Sequence, residues 1–184
     1  MIWRIEQTGP VVLIHLVVPS AIGPLEYVEQ PCATIEELRE LKRKIKIPLR
    51  IAADEIIRKA LDPFKVDLSG AVDILALKVQ PLGGIAHAQK LAQHHKLPIV
   101  VSSALESAVG ISHGLALAAS FNEMNFDCGL ATGSLLSANV GDLPIVNGEI
   151  EVKRIEPNFE GLEVSPERYK WWQDRLMKTW ELIA

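Results

Sequence analysis

Apolar and polar positions fall in blocks along this chain. Four short apolar runs, LEYVE, LRIAA, ILALKV and PIVVSS, close on or just before a polar residue, delivering Glu29, Asp54, Lys78 and Ser102. Their separations of 25, 24 and 24 residues fit one strand, loop and helix unit repeated, which predicts a parallel βα series. The intervening segments carry helical signals. In TIEELRELKRKI, Thr34 and Glu37 form a capping box, Ile35, Leu38 and Leu41 share a face, and acids precede bases. Ile56 to Phe64 reads as a short helix or loop, and the Ser, Gly and Asp of VDLSGAVD as a turn. IAHAQKLAQHHK and LESAVGISHGLALAAS predict two further helices, with Glu106 in the first turn of the second.

Beyond residue 120 the pattern changes. DCGLATGSLL reads as one more buried strand, for about five in all. PIVNGEIEVKR, beginning at Pro144, reads as a hairpin turning at Asn147-Gly148. In the last helix, SPERYKWWQDRLMKTWELIA, Trp172, Leu176, Trp180 and Ile183 form one stripe, the packing face of a lid or brace.

Composition narrows the function. With 184 residues, 48% hydrophobic and 23% charged, and a net charge of −4, this is an ordinary soluble globular chain. It is long enough for one domain that buries roughly 70% of its unfolded surface. No partner nucleic acid is expected, because the basic run LKRKIK at 41–46 sits at a helix end, where cations suit the dipole. Cys32 and Cys128 lack CxxC spacing and read as reduced thiols of a cytoplasmic protein. No apolar run nears the roughly 18 residues that span a bilayer, so no membrane is expected. The opening VVLIHLVV looks superficially like a secretory signal, against which Glu6 and His15 argue.

In a parallel sheet the carboxyl ends of neighbouring strands converge on one rim. Glu29 and Asp54 there would make a hard, oxygen-rich half-site suited to Mg2+, completed by another acid, water or substrate. Lys78 beside such a cation would lose proton affinity, making it a candidate base or a cation that stabilises an enolate. A structural ion network at the rim is the alternative. Gly83-Gly84, just ahead of a helix, either brings bare N–H groups to an anion or makes a tight turn. His87, His94 and His95 read as solvent-facing.

The segments YVEQPC at 27–32, ADE at 53–55, LKVQPLGG at 77–84, VVSSALESAVG at 100–110 and CGLATGSLL together resemble the enolase superfamily. Within it the match is to the o-succinylbenzoate synthases of the menaquinone pathway. The resemblance implies an α/β fold, a partial (β/α) TIM-type barrel that lacks the N-terminal capping domain and the first barrel strands. It divides the chain into an atypical lead at 1–20, the partial barrel at 21–140 and a C-terminal hairpin and helix at 141–184. It implies Glu29 and Asp54 as ligands of Mg2+, Lys78 as the sixth-strand catalytic lysine, and Gly83, Gly84, Ser102, Ser103 and Glu106 as substrate-binding residues. The implied reaction removes a proton α to a metal-bound carboxylate, stabilises the enediolate, and expels the β-hydroxyl as water from a small-molecule cyclohexadiene carboxylate.

Two departures qualify this. The second-strand K-x-K base and the third-strand metal-binding aspartate are absent; Lys44-Ile45-Lys46 has the spacing but lies at a helix end downstream of Glu29. The chain is therefore expected to be a carboxyl-terminal portion, inactive alone, that partners a missing N-terminal half or self-associates. Other readings are an N-succinylamino acid racemase, a muconate cycloisomerase, or a non-catalytic remnant.

Overall fold

The computed structural model describes residues 25–183, so the lead at 1–20 lies outside the described residues. Four strands, β1 (Tyr27–Glu29), β2 (Arg50–Ala53), β3 (Ile74–Leu77) and β4 (Ile99–Val101), form one parallel sheet in the order β1-β2-β3-β4. A helical crossover follows each strand: α1 (Ile35–Lys44), α2 (Glu55–Arg58) with a 3-10 turn at Pro63–Lys65, α3 (Ile85–His95) and α4 (Ala108–Ala119). This is the expected α/β series, and the chain order equals the spatial order.

Side-chain parity splits the sheet into two faces. Ile51, Ala53, Leu75, Leu77, Ile99 and Val101 join the large core with Leu38 of α1, Leu91 of α3 and Leu117 of α4. Ala52, Ile74, Ala76 and Val100 make a smaller cluster on the opposite face, packed by Tyr27 and Phe126, whose rings meet edge to face at 5.4 Å. Glu29, Asp54, Lys78 and Ser102 have the parity of the second face. Each stands at or just past a strand's carboxyl end, so the alternation of the pleat sends all four to one side.

Helix α1 begins as its sequence dictates. Thr34 Oγ1 accepts from Glu37 N at 3.2 Å, and Glu37 Oε2 accepts from Thr34 N at 3.0 Å, a complete capping box. Lys42 of the basic run at its end donates to Asp73 at 2.5 Å, and Arg39, ahead of that run, to Asp67 at 2.7 Å. On α3, His94 is exposed, whereas His95 is half-buried and its Nε2 meets the Pro63 carbonyl at 3.0 Å, so it does not face solvent as expected.

The region after residue 120 departs further. The expected fifth strand is reduced to one parallel bridge, Ser102 to Gly129, after which the backbone winds into a 3-10 turn at Thr132–Leu135. A Cβ on Gly129 would stand 2.9 Å from Ser102 Oγ, so a glycine is what lets the backbone pass this close to the end of β4. The hairpin turn forms, with Asn147 at φ 53° and Gly148 at φ 85°, both left-handed as a two-residue turn of this type needs. Its ladder is a single pair, Val146 to Glu149. Helix α5 (Pro166–Glu181) starts at a Ser165 cap with Pro in the first turn. Its stripe does not pack as expected: among the described residues it meets no core, and Trp172, Leu176 and Trp180 stay 51%, 68% and 61% exposed.

Candidate active site

The rim at the carboxyl ends of β1, β2 and β3 gathers the three charged residues that the repeat interval singled out. Lys78 Nζ donates to Glu29 Oε1 at 2.9 Å and to Asp54 Oδ2 at 2.6 Å. Asp54 and Lys78 are buried, at 2% and 8% exposure, and Glu29 is half-buried. Burial opposes the ammonium most strongly, but its hydrogen bond to Asp54 and the charge of Glu29 outweigh it. The Lys78 pKa is held above its ordinary value. A charged amine between two carboxylates is the state the geometry selects.

Arg58, one turn along α2, completes the cluster. Its Nε donates to the second oxygen of Asp54 at 3.0 Å, and its guanidinium also reaches Glu55. Desolvation works against its charge, yet Asp54 and Glu55 raise its pKa. Tyr27, on the same sheet face as Glu29, has its hydroxyl pKa raised by burial first and then by the Glu29 charge, so it stays neutral beside the acids.

The remaining predicted site residues make no hydrogen bond or ion pair to this centre among the described residues. Gly83 and Gly84 have φ of 78° and 113°, conformations that only glycine adopts without strain. Their N–H groups donate to the Gln80 and Val79 carbonyls at 3.1 and 2.9 Å, so the pair makes the tight turn, and neither amide is bare in this conformation. Ser102 and Ser103 are buried just past β4. The Ser103 hydroxyl is engaged with the Gly129 carbonyl at 2.9 Å and Thr132 Oγ1 at 2.6 Å. Glu106 does not lie in the first turn of α4, which begins after the Ser107 cap; it sits in the preceding loop. One of its oxygens accepts from Ala104 N at 2.9 Å, while the other is buried with no partner among the described residues. Gly110 leaves room for it, since a Cβ there would stand 2.4 Å from that of Glu106.

Sequence reasoning missed Arg58 and Gln30. Arg58 had a local signal, four residues after Asp54 and three after Glu55 in one helical turn. Gln30 had none: its amide oxygen accepts from Asp54 N and Ile56 N, across 24 and 26 residues of chain.

The donor chemistry bears on the metal. Two hard carboxylate oxygens converge on one cation, here the ammonium, which is the pairing a divalent ion could share. Among the described residues no group of three potential ligands occurs, so Glu29 and Asp54 fit part of a magnesium shell and leave the rest to water, substrate or another acid.

Comparison with known proteins bears on family and fold. A family model described as enolase C-terminal domain-like matches residues 18–167. The o-succinylbenzoate synthase of Mycobacterium ulcerans (strain Agy99) is 43% identical over 98% of this chain and 55% of its own length. That of Mycobacterium tuberculosis (strain ATCC 25618 / H37Rv) is 47% identical over 90% of this chain and 51% of its own. The chain thus spans about half the length of the curated relatives it matches. Among solved structures, muconate lactonizing enzyme from Pseudomonas putida superposes with a TM-score of 0.61 at 21% identity, over 71% of this chain and 38% of that one, a likeness of fold.

Proposed function

The chain belongs to the enolase C-terminal domain-like family, and from that premise we propose that its strand-end site serves an o-succinylbenzoate synthase-type lyase. The reaction is α-proton removal from a cyclohexadiene carboxylate followed by loss of the β-hydroxyl as water, a step of menaquinone biosynthesis in the cytoplasm. The observation that carries this reading is the Lys78 ammonium held between Glu29 and Asp54 at 2.9 and 2.6 Å.

Glu29 and Asp54 are the residues that would hold Mg2+, which when bound supplies a Lewis acid for the substrate carboxylate. Lys78 provides a fixed positive charge in a dry setting, where charge stabilisation is worth far more than in water. As a donor to two carboxylates it suits the stabilising of a developing enolate rather than the removal of a proton. Arg58 holds the far oxygen of Asp54 and so fixes which edge of that carboxylate faces Lys78. The Gly83-Gly84 turn, Ser102, Ser103 and Glu106 shape the surrounding rim, with the unpartnered oxygen of Glu106 able to accept from a substrate hydroxyl.

A base aimed at the α-proton is missing from this set, and its loss typically costs roughly two to four orders of magnitude in rate. The isolated chain is therefore proposed to be inactive, and the rest of the site to come from a further segment of protein. The test is a dehydration assay of this chain alone, and then mixed with the segment of the Mycobacterium ulcerans relative that it does not span. No turnover is expected alone; turnover is expected on mixing, and its loss with Lys78→Ala. Robust turnover by the isolated chain, with Lys44 or Lys46 as base, contradicts the assignment. A non-catalytic remnant is favoured by one observation, the engagement of both Asp54 oxygens by Lys78 and Arg58, and predicts no activity in either arm.

A further inference from the structure

Asp54 departs from the habit of its residue type. An aspartate at a helix N-cap ordinarily turns its carboxylate onto the N–H groups of the first turn. Asp54 is the N-cap of α2 and makes no such bond. Its two oxygens are given to Arg58 and Lys78 instead. The capping oxygen comes from the neighbouring strand: Gln30 Oε1 accepts from Asp54 N at 2.9 Å and from Ile56 N, the second residue of the helix, at 3.2 Å.

Everything around Gln30 holds it to that task. Its Nε2 donates to the Cys32 carbonyl at 2.8 Å, so both ends of the amide are used and its orientation is set by its contacts. Its own N–H extends the ladder, donating to the Ala52 carbonyl at 2.9 Å. Its backbone lies at φ 40°, a left-handed conformation that a residue with a side chain keeps only where its surroundings over-determine it.

We infer that Gln30 is a positioning residue: by capping α2 from the adjacent strand, it releases the Asp54 carboxylate to the site. Without Gln30, the Ile56 N–H, at the second helical position, calls on the side chain of the N-cap residue Asp54, whose carboxylate then rotates onto its own helix and away from Lys78. The inference rests on the assignment of Asp54 to the proposed site. Its readout involves neither metal nor turnover, so it can fail while that function stands, and the reverse.

The test is nitrogen-15 NMR of the full chain. The Lys78 ammonium, bonded to two carboxylates, is expected to give a slowly exchanging resonance, assigned by its disappearance in Lys78→Arg. Gln30→Ala is expected to lose that resonance while the Ile56 amide stays protected, because Asp54 has taken over the cap. Gln30→Gly, which relaxes the left-handed backbone and so keeps the fold accessible, is expected to do the same. Gln30→Glu, which retains an acceptor, is expected to restore it. An unchanged ammonium resonance in Gln30→Gly, with the Ile56 amide newly exchanging, overturns the inference and leaves Gln30 a simple cap. A wild-type chain whose Asp54 and Ile56 amides exchange as freely as exposed ones overturns it without any variant.

Discussion

Residues 50–101 and residues 141–183 both contain apolar stretches of regular period, and they meet water differently. In the first, Ile51, Ala52, Ala53, Leu75, Leu77, Val100 and Val101 are fully buried between the two faces of the sheet and what covers them. In the second no described residue is buried, and the stripe of Trp172, Leu176 and Trp180 on α5, like Ile183 just past its end, is exposed. Local signals suffice to shape the arm: a serine cap, a first-turn proline, the Lys170–Asp174 pair and an Asn-Gly turn are all in place. Burial needs an opposing surface as well, and the sheet supplies its own because each crossover returns a helix to the same face. The charged residues follow the same division. In the sheet Lys78, Glu29 and Asp54 are locked to one another, whereas on the arm Arg168 merely lies over the rings of Trp171 and Trp172 at 4.5 and 5.3 Å.

Substitutions along this divide should grade with burial. Lys78→Ala takes the shared cation from two carboxylates, leaving Glu29 unpaired and Asp54 with Arg58 alone, and is expected to cost about 3–5 kcal/mol in urea denaturation. A loss near zero would mean that water reaches the rim and that it is no more enclosed than the arm. Gly84→Ala forces a side chain to φ 113° and is expected to cost about 1–3 kcal/mol by the same measurement. Thr34→Ala removes half of a capping box at an exposed helix start, for about 1 kcal/mol. Trp180→Ala, in the middle of the exposed stripe, is expected to change stability by no more than about 0.5 kcal/mol. A markedly larger loss at Trp180 would show that the stripe is covered in solution and would erase the contrast.

The sequence was informative where local and long-range requirements agree. Each strand between residues 27 and 101 is a short apolar run stopped by a polar residue at a near-constant interval, and parity then carries Glu29, Asp54 and Lys78 to one face. The fifth run failed as a strand because apolar content alone does not place Gly129 and Leu130 in a ladder; the chain makes one bridge at the end of β4 and winds away. Periodicity also revealed the stripe of α5 but not whether anything lies opposite, since amphipathicity is a property of one helix and packing of two. Glu106 fell outside α4 because Ser107 takes the cap and the helix begins at Ala108, three residues after the Leu105 that opens the expected helix. Gln30 could not be read at all, because its partners lie on another strand end and glutamine has no habitual place in a cap.

The most direct test of the account is whether Glu29 and Asp54 hold one cation between them as a unit. Mg2+ titrated into the chain in a calorimeter should bind weakly, since two carboxylates supply only part of the six oxygens it requires. That binding should vanish in Glu29→Gln and equally in Asp54→Asn. Mg2+ binding that survives either change undiminished would contradict the assignment of these strand ends to a single metal-and-amine site.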